Sequence, residues 1–237
     1  MRQLKGSTRI ERILFGNLPD AYPVNHPVDG FQQVPVLRRV NVTDIPDELV
    51  AFDDRKRAKS PTHAGLHFFR DDKKFISILV KPEAKTMEFA PYKIMLTPDV
   101  TIGDGMPPWQ KARNVVLGRA AGVVWEKRGM KVIPTVRWTN QEDLDLVTCG
   151  IPQRSVFAVS SYMARRDPTD YSNFQEGLRY LVNCLNPVAV IVYGSLDDEL
   201  SNELSRFCDI FVYQDPMTQI RDKAKRVSPD DNALFPH

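Results

Sequence analysis

Strands alternate with helices along residues 93–226, and this alternation restricts the possible fold more than any other feature of the chain. Predicted strands lie at residues 93–97, 132–138, 155–160, 188–193 and 210–213, and predicted helices at 107–127, 141–147, 173–185, 197–207 and 217–225. Several strand runs are continuously apolar and β-branched, which is typical of parallel strands covered on both faces. Strands that alternate with helices form a parallel sheet or barrel, so we predict an α/β fold.

Helix boundaries in this region carry the expected end signals. Pro107 and Pro108 stand at the start of the first long helix and Gly129 just past its end. Proline near a helix start and glycine after its end is the usual asymmetry. Asn140 precedes the short helix at 141–147, and its side-chain oxygen can accept a hydrogen bond from an unpaired backbone N–H. These signals support the helical interpretation of both segments.

The first ninety residues are harder to interpret. They are rich in proline and contain short β-like pieces, such as residues 34–37 and 75–80. Proline confines such pieces to strand ends, edges or loops. Counting them gives about seven or eight strands in total, and we predict a compact TIM-like (β/α) barrel rather than an open doubly wound sheet. We expect one domain, with an irregular strand-rich part at 1–90, regular repeats at 91–226 and a tail at 227–237.

Composition excludes several classes of protein. With 42% hydrophobic and 26% charged residues among 237, the chain is typical of a globular protein. Its longest apolar runs are far shorter than the roughly 20 residues that cross a bilayer, and its start does not resemble a secretory signal, so we expect a cytoplasmic protein with no membrane partner. Cys149, Cys184 and Cys208 form no Cys-x-x-Cys pair. His63 and His67 have the spacing of two metal ligands on one helix, but Gly65 lies between them and disfavours a helix. We therefore predict no metal and no cofactor.

Polar, aromatic or glycine residues follow each predicted strand. They are Asp99 and Thr101, then Arg137, Trp138 and Asn140, then Ser160, Ser161 and Arg165, then Tyr193, Gly194 and Ser195, and finally Gln214 and Asp215. In a barrel such residues converge at the carboxyl ends of the strands. Asp99 and Asp215 would then face one pocket, where paired carboxylates suit nucleophilic and acid/base roles. The alternative is that each aspartate only caps a turn or helix.

Basic residues form three local clusters that are candidates for phosphate contacts. They lie at Arg55, Lys56, Arg57 and Lys59, at Arg165 and Arg166, and at Arg221, Lys223, Lys225 and Arg226. The formal net charge of +2 is too small to indicate nucleic-acid binding by itself. Runs of charge also commonly form solvated surface, so both interpretations stay open.

Two resemblances follow from these motifs. Asp99-Val100-Thr101, Met106-Pro107, Gln110, Gly129 and the run at 132–138 resemble an uncharacterised domain family that occurs in phages and other mobile elements. The order of strand ends is also similar to the barrel of the tRNA-guanine transglycosylases and the phage DNA transglycosylases that insert 7-deazaguanines. Two features in the same order along the chain carry this second resemblance. One is an aspartate after an early strand, here Asp99, and the other is an aspartate after the last strand and before a basic helix, here Asp215.

The second resemblance implies a mechanism. Asp215 would attack C1′ of a flipped nucleotide to expel guanine, and Asp99 would move the proton as a 7-deazaguanine such as preQ0 or preQ1 enters. The base would be bound by Thr101, Arg137, Trp138, Ser160, Ser161, Tyr193, Gly194 and Gln214, and DNA phosphates by Arg165, Arg166, Arg221, Lys225 and Arg226. Two other functions stay open. One is a catalytically silent barrel that binds nucleic acid or a host protein, and the other is a hydrolase or lyase that uses the same aspartates.

Overall fold

The computed structural model describes residues 26–215, so the helix predicted at 217–225 and the predicted tail lie outside the described residues. The strands are β1 (Val28–Asp29), β2 (Val34–Pro35), β3 (Glu48–Ala51), β4 (Ala64–His67), β5 (Ile94–Leu96), β6 (Val132–Ile133), β7 (Val156–Ser160), β8 (Ala189–Tyr193) and β9 (Asp209–Tyr213). The α-helices are α1 (Ile76–Val80), α2 (Thr86–Phe89), α3 (Pro108–Glu126), α4 (Leu144–Thr148), α5 (Pro168–Leu185) and α6 (Asp198–Leu204). Short 3-10 helices cover Val42–Asp44, Phe52–Arg57, Pro61–His63, Asp72–Lys74, Pro82–Lys85, Gln141–Asp143 and Ala164–Arg166.

Strands β3 to β9 run parallel and neighbour one another in chain order. Strands β3, β4, β5 and β6 form one ladder and β7, β8 and β9 another. A parallel bridge between Thr135 and Ala158 joins the two, where the backbone N–H of Val136 donates to the carbonyl of Ala158 over 2.8 Å. Strands β1 and β2 form a separate antiparallel pair. The predicted parallel α/β architecture is therefore confirmed.

The sheet formed by β3 to β9 is strongly curled. The rings of His67 on β4 and Tyr193 on β8 have centroids only 4.4 Å apart, although three strands separate β4 from β8. A flat sheet would place these strands about 19 Å apart at the usual strand spacing. The hydroxyl of Tyr213, at the end of β9, also donates to the carbonyl of Pro46 just before β3. Within residues 26–215 no ladder joins β3 to β9, so the predicted closed barrel is not shown.

Apolar side chains fill the inside of the curl and cover its outside. The inner cluster includes Ile94, Leu96, Ile133, Val156, Ala158, Ala189 and Ile191. Outside the curl, α3 covers β4 to β6, and α5 and α6 cover β7 and β8. Gly65 on β4 has no space for a side chain, because a Cβ there would lie 2.9 Å from Leu49 and 3.1 Å from Ile94. Because Gly65 has no side chain, the inner face of the sheet can pack closely at this point.

Most predicted elements of residues 93–215 are present, with shifts at the ends. The helix predicted at 107–127 is α3, and Gly129 follows it with a positive φ of 83°. Helix α5 starts at Pro168 rather than 173, because the Asp167 carboxylate accepts hydrogen bonds from the backbone N–H groups of Thr169 and Asp170.

No helix in residues 26–215 combines the length and apolar character that a membrane span requires.

The β-like interpretation of residues 75–80 was wrong, because Ile76–Val80 is helix α1. The buried residues Phe75, Ile78 and Leu79 follow helical rather than alternating spacing, and all three belong to the cluster under α3. The Asp71 carboxylate accepts from the backbone N–H of Lys73 over 2.9 Å and starts the preceding turn. Packing against α3 decides the conformation of this apolar run, whose composition also suits a strand.

Glu126, at the end of α3, provides a pH-dependent test of this packing. Burial raises the pKa of its carboxyl to about 7, although Oε1 accepts from the backbone N–H of Arg38 over 2.8 Å, and Oε2 is a buried atom without a partner. The unfolded chain releases this proton near pH 4.5, so the folded state loses stability as pH rises from 4.5 through 7.

We therefore expect Glu126→Gln, which keeps an acceptor for Arg38, to stabilise the protein at pH 8 by up to roughly 3 kcal/mol. At pH 4 the variant and the parent should unfold at the same urea concentration. The exposed Glu142→Gln is the control and should change neither value. Equal stability of the parent and Glu126→Gln at pH 8 would show that burial does not raise the pKa of Glu126.

Candidate functional site

The first group of polar residues at the carboxyl ends of the strands surrounds Asp99, which follows β5. This Asp99 cluster consists of Asp72, Asp99, Thr101 and Arg137. The Asp99 side chain is buried, and Nη1 of Arg137, which follows β6, donates to its Oδ2 over 3.0 Å. Burial raises the pKa of Asp99, the positive charge of Arg137 opposes the rise, and the charge of Asp72 adds to it. A carboxyl in this setting retains its proton to higher pH than usual.

Asp72 is a second carboxyl in the cluster that sequence reasoning missed. It accepts hydrogen bonds from the backbone N–H and the hydroxyl of Thr101, at 3.1 and 3.0 Å. Burial raises its pKa, while the bonds from Thr101 and the charge of Arg137 oppose the rise. Asn114 on α3 donates to the carbonyl of Thr101 over 2.7 Å and so ties this loop to the helix. Asp72 lies in a turn of the irregular first ninety residues, where no motif marks it.

A small cavity lies beside Asp99, between the sheet and α3. Its volume is about 20 Å³, and its polar lining comes from Asp99, Asn114, Arg119, Thr135 and Arg137. This volume holds about one water molecule. Arg119 donates to the backbone carbonyls of Thr135 and Val147 at 2.8 and 3.1 Å, and burial lowers its pKa to about 10, so it remains a cation at neutral pH. A ligand as large as a nucleobase must therefore bind outside this cavity, at the open strand ends.

The second group, the Tyr193 cluster, consists of His67, Phe69, Arg70, Tyr193 and Asp215. The ring of Tyr193 at the end of β8 stacks on Phe69 with centroids 5.0 Å apart and also contacts His67. Asp215, which follows β9, is buried at 2% exposure. Burial raises the pKa of the Tyr193 phenol, the charge of Asp215 adds to this rise, and Arg70 opposes it. The two candidate catalytic aspartates thus lie in separate clusters at the same end of the sheet.

His63 and His67, whose spacing in the sequence is that of two metal ligands on one helix, lie at opposite ends of β4. His63 lies at the amino end of β4, exposed, with Nδ1 3.0 Å from the Asp47 carboxylate, whereas His67 lies buried at the carboxyl end. Because they occupy opposite ends of a strand, they cannot share one ion. Within residues 26–215 no group of His, Cys, Asp or Glu side chains is arranged to hold a metal.

Ser161 and Gly194 connect the loops after β7 and β8. The hydroxyl of Ser161 donates to the carbonyl of Ser195 over 2.6 Å and accepts from its backbone N–H over 3.0 Å. Gly194 has a φ of 123°, and a Cβ there would lie 2.5 Å from the Ser161 hydroxyl. The neighbouring Ser160 hydroxyl accepts a hydrogen bond from the backbone N–H of Tyr162 over 3.4 Å. Of these predicted substrate-binding residues, Ser161 and Gly194 hold the two loops together, whereas Ser160 bonds within its own loop.

Other predicted site residues have structural partners or lie apart. Trp138 stacks on Phe174 of α5 with centroids 5.6 Å apart, and its indole N–H donates to the carbonyl of Asn173. Arg165 pairs with Asp197 at 2.8 Å, and Nη2 of Arg166 lies 3.2 Å from the Tyr162 hydroxyl oxygen. Gln214 is exposed beside Asp215. Arg221, Lys225 and Arg226 lie outside the described residues.

Fold and site together define an α/β protein with buried carboxylates at the carboxyl edge of a curled parallel sheet. The chain belongs to the family described as a domain of unknown function (DUF4417), which matches residues 26–213. That match includes Asp72, Asp99, Arg137 and both rings of the His67–Tyr193 contact, and it ends just before Asp215. The predicted membership of an uncharacterised phage-associated family is confirmed, whereas the transglycosylase resemblance stays a prediction.

Two phage proteins are similar to this chain. The "Gene 1 protein" of Mycobacterium phage D29 is 30% identical over 185 residues, which cover 77% of this chain and 64% of that protein. The "Gene 1 protein" of Mycobacterium phage L5 is 32% identical over 166 residues, which cover 69% of this chain and 72% of that protein. The chain therefore spans less than two thirds of the D29 relative. No solved structure matches.

Proposed function

We propose that this chain is a phage-type DNA guanine transglycosylase, which exchanges guanine for a 7-deazaguanine base such as preQ0 or preQ1. The observation that carries the proposal is the burial of two aspartates, Asp99 at 7% and Asp215 at 2% exposure, after β5 and β9 of one curled parallel sheet. Buried carboxylates from different strand ends supply the nucleophile and the acid/base that glycosyl transfer requires. We further propose that this sheet forms a TIM-like barrel.

The reaction divides between the two aspartates. The Asp215 carboxylate attacks C1′ of a deoxyguanosine, the C1′–N9 bond breaks with its electron pair going to the base, and Asp99 supplies the proton that the leaving base needs. The incoming 7-deazaguanine then gives its N9 proton to Asp99 and attacks C1′, which releases Asp215. Burial raises the pKa of Asp99, which suits a group that carries a proton in one step and accepts one in the next.

The target nucleotide must leave the DNA stack for this chemistry. Flipping a base costs a few kcal/mol and is easiest in single-stranded DNA. Since the cavity beside Asp99 has a volume of only about 20 Å³, we place the base at the open end between the Asp99 and Tyr193 clusters. Arg137, which already contacts Asp99, would neutralise the negative charge that remains on that aspartate after proton transfer.

Nucleoside analysis tests the proposal directly. We expect DNA from cells that express this chain and are supplied with preQ0 or preQ1 to contain a 7-deazaguanine nucleoside when it is digested and weighed by mass spectrometry. Cells that express the Asp99→Asn variant should contain far less, because a general acid contributes about 10²- to 10⁴-fold. Asp104→Asn, at an exposed position of the same loop, is the matched control and should behave like the parent.

Only unmodified guanine in DNA from cells with the parent protein and either supplied base would contradict the proposal. If the purified protein then bound single-stranded DNA without changing it, a non-catalytic nucleic-acid-binding role would account for the result instead.

A further inference from the structure

His67 is held in one ring orientation and one tautomer. It is the last residue of β4, its side chain is 2% exposed, and its ring packs between Phe69 and Tyr193 with centroids 5.3 and 4.4 Å away. The backbone N–H of Phe69 donates to Nδ1 over 3.2 Å. A ring nitrogen that accepts a hydrogen bond carries no proton, so the proton of the neutral ring must be on Nε2.

Burial also keeps this ring neutral. It lowers the pKa of His67 to about 3, and the nearby charge of Arg70 lowers it further, while Asp53 opposes the shift. A neutral Nε2–H group donates a hydrogen bond but cannot accept one or take up a proton near pH 7. His67 therefore does not act as a general base, and in this tautomer Nε2 offers no lone pair to a metal.

The Nε2–H group has no intramolecular use in the described part of the chain. No described residue accepts a hydrogen bond from it, and Nε2 is not among the four side-chain atoms found sealed from water without a partner within residues 26–215. The hydroxyl of Tyr193, whose ring contacts His67, likewise has no hydrogen-bond partner among the described residues. The contact between the His67 and Tyr193 rings thus brings two polar groups, from β4 and β8, to the carboxyl end of the sheet, where the charge of Asp215 acts on Tyr193.

We propose that His67 donates its Nε2–H to a carbonyl oxygen on the edge of the substrate base and so selects bases that carry such an oxygen. The inference rests on the proposed function for the identity of the ligand, a purine-type base in DNA. A rigid donor favours a base with an acceptor at that position, because a base without one leaves the donor unpaired and desolvated. The hydroxyl of Tyr193 can bond to a neighbouring polar atom of the same base.

Binding to two matched oligonucleotides tests this role without any chemistry. One short single-stranded oligonucleotide carries a single guanine, and the other carries 2-aminopurine, which lacks the carbonyl oxygen, at the same position. In an Asp215→Asn background we expect about tenfold tighter binding of the guanine oligonucleotide, since one well-formed hydrogen bond to a buried donor contributes about that factor. His67→Phe, which keeps a ring between Phe69 and Tyr193, should reduce the preference to within about twofold.

Further variants separate recognition from stability. His67→Gln restores an N–H donor near the position of Nε2 and should recover part of the preference. His63→Phe makes the same substitution at the exposed amino end of β4 and should keep all of it. In the parent protein, the nitrogen resonance of His67 Nε2 should show a protonated neutral ring from pH 5 to 8 and should shift when the guanine oligonucleotide binds.

Several results would overturn the proposal. They are equal binding of the two oligonucleotides by the Asp215→Asn protein, an unchanged preference when His67→Phe is added to it, no resonance shift on binding, or no binding of either oligonucleotide. A preference that depends on His67, without any 7-deazaguanine in cellular DNA, would support base recognition while contradicting base exchange. Base exchange with an unaltered preference in His67→Phe would support the proposed function while contradicting base recognition by His67.

Discussion

Replacing Asp215 with asparagine is expected to lower base exchange by at least about 10³-fold, because the amide has the same shape but is not a nucleophile. The side chain is buried at 2% exposure after the last described strand, and its charge acts on the phenol of Tyr193. The parent should form a covalent adduct with a guanine-containing oligonucleotide that survives denaturing electrophoresis. Asp215→Asn should form none.

Asp209→Asn is the matched control for this experiment. Asp209 is the first residue of the same strand, β9, and lies exposed at its opposite end. The substitution makes the same chemical change away from the carboxyl-end clusters, so both adduct and product should form at the parental rate. An adduct of normal yield in Asp215→Asn, with a normal melting temperature, would show that the nucleophile is another residue.

The largest expected loss of stability comes from Trp125→Ala, at about 3–5 kcal/mol. Trp125 on α3 is completely buried and stacks on Phe68 with ring centroids 5.5 Å apart, and Phe89 meets it edge-on at 6.0 Å. Its indole N–H also donates to the carbonyl of Pro82 over 3.0 Å. Truncation would leave a cavity between α3 and β4 and would remove the indole hydrogen bond to the Pro82 carbonyl. Urea unfolding at neutral pH measures the loss.

Two other tryptophan variants control for this effect. Trp125→Phe keeps a ring but loses the bond to Pro82, so it should cost less than the alanine variant. Trp109→Ala, in the first turn of the same helix, removes a side chain that is 64% exposed and should change stability by less than about 0.5 kcal/mol. Similar losses for Trp109→Ala and Trp125→Ala would contradict the packing described for α3.

Elements with strong local patterns were predictable. The helix that became α3 begins at a proline pair and is followed by Gly129 in a left-handed conformation, and β7 and β8 are continuous apolar runs. Residues 75–80 were not predictable, because a short apolar run suits either a strand or a buried helix and only packing under α3 selects the helix.

The candidate site was predictable only in part. Strand-end positions identified Asp99, Arg137, Tyr193 and Asp215, and the structure adds that Arg137 contacts Asp99. Asp72 and His67 come from the irregular first ninety residues, where no periodic pattern marks a strand end. Trp138 and Arg165 also follow strands. In the structure, however, Trp138 stacks on Phe174 and Arg165 forms an ion pair with Asp197.

For residues 93–213, sequence alone determined the order of strands and helices, their parallel arrangement and the ends at which polar residues collect, because periodicity and capping act over a few neighbouring residues. Tertiary structure decided how strongly the sheet curls. That curl brings His67 on β4 within 4.4 Å of Tyr193 on β8, although 126 positions separate them in the chain. Such a contact depends on the combined packing of side chains from all the intervening strands, including the close approach that Gly65 allows, and no local pattern encodes it.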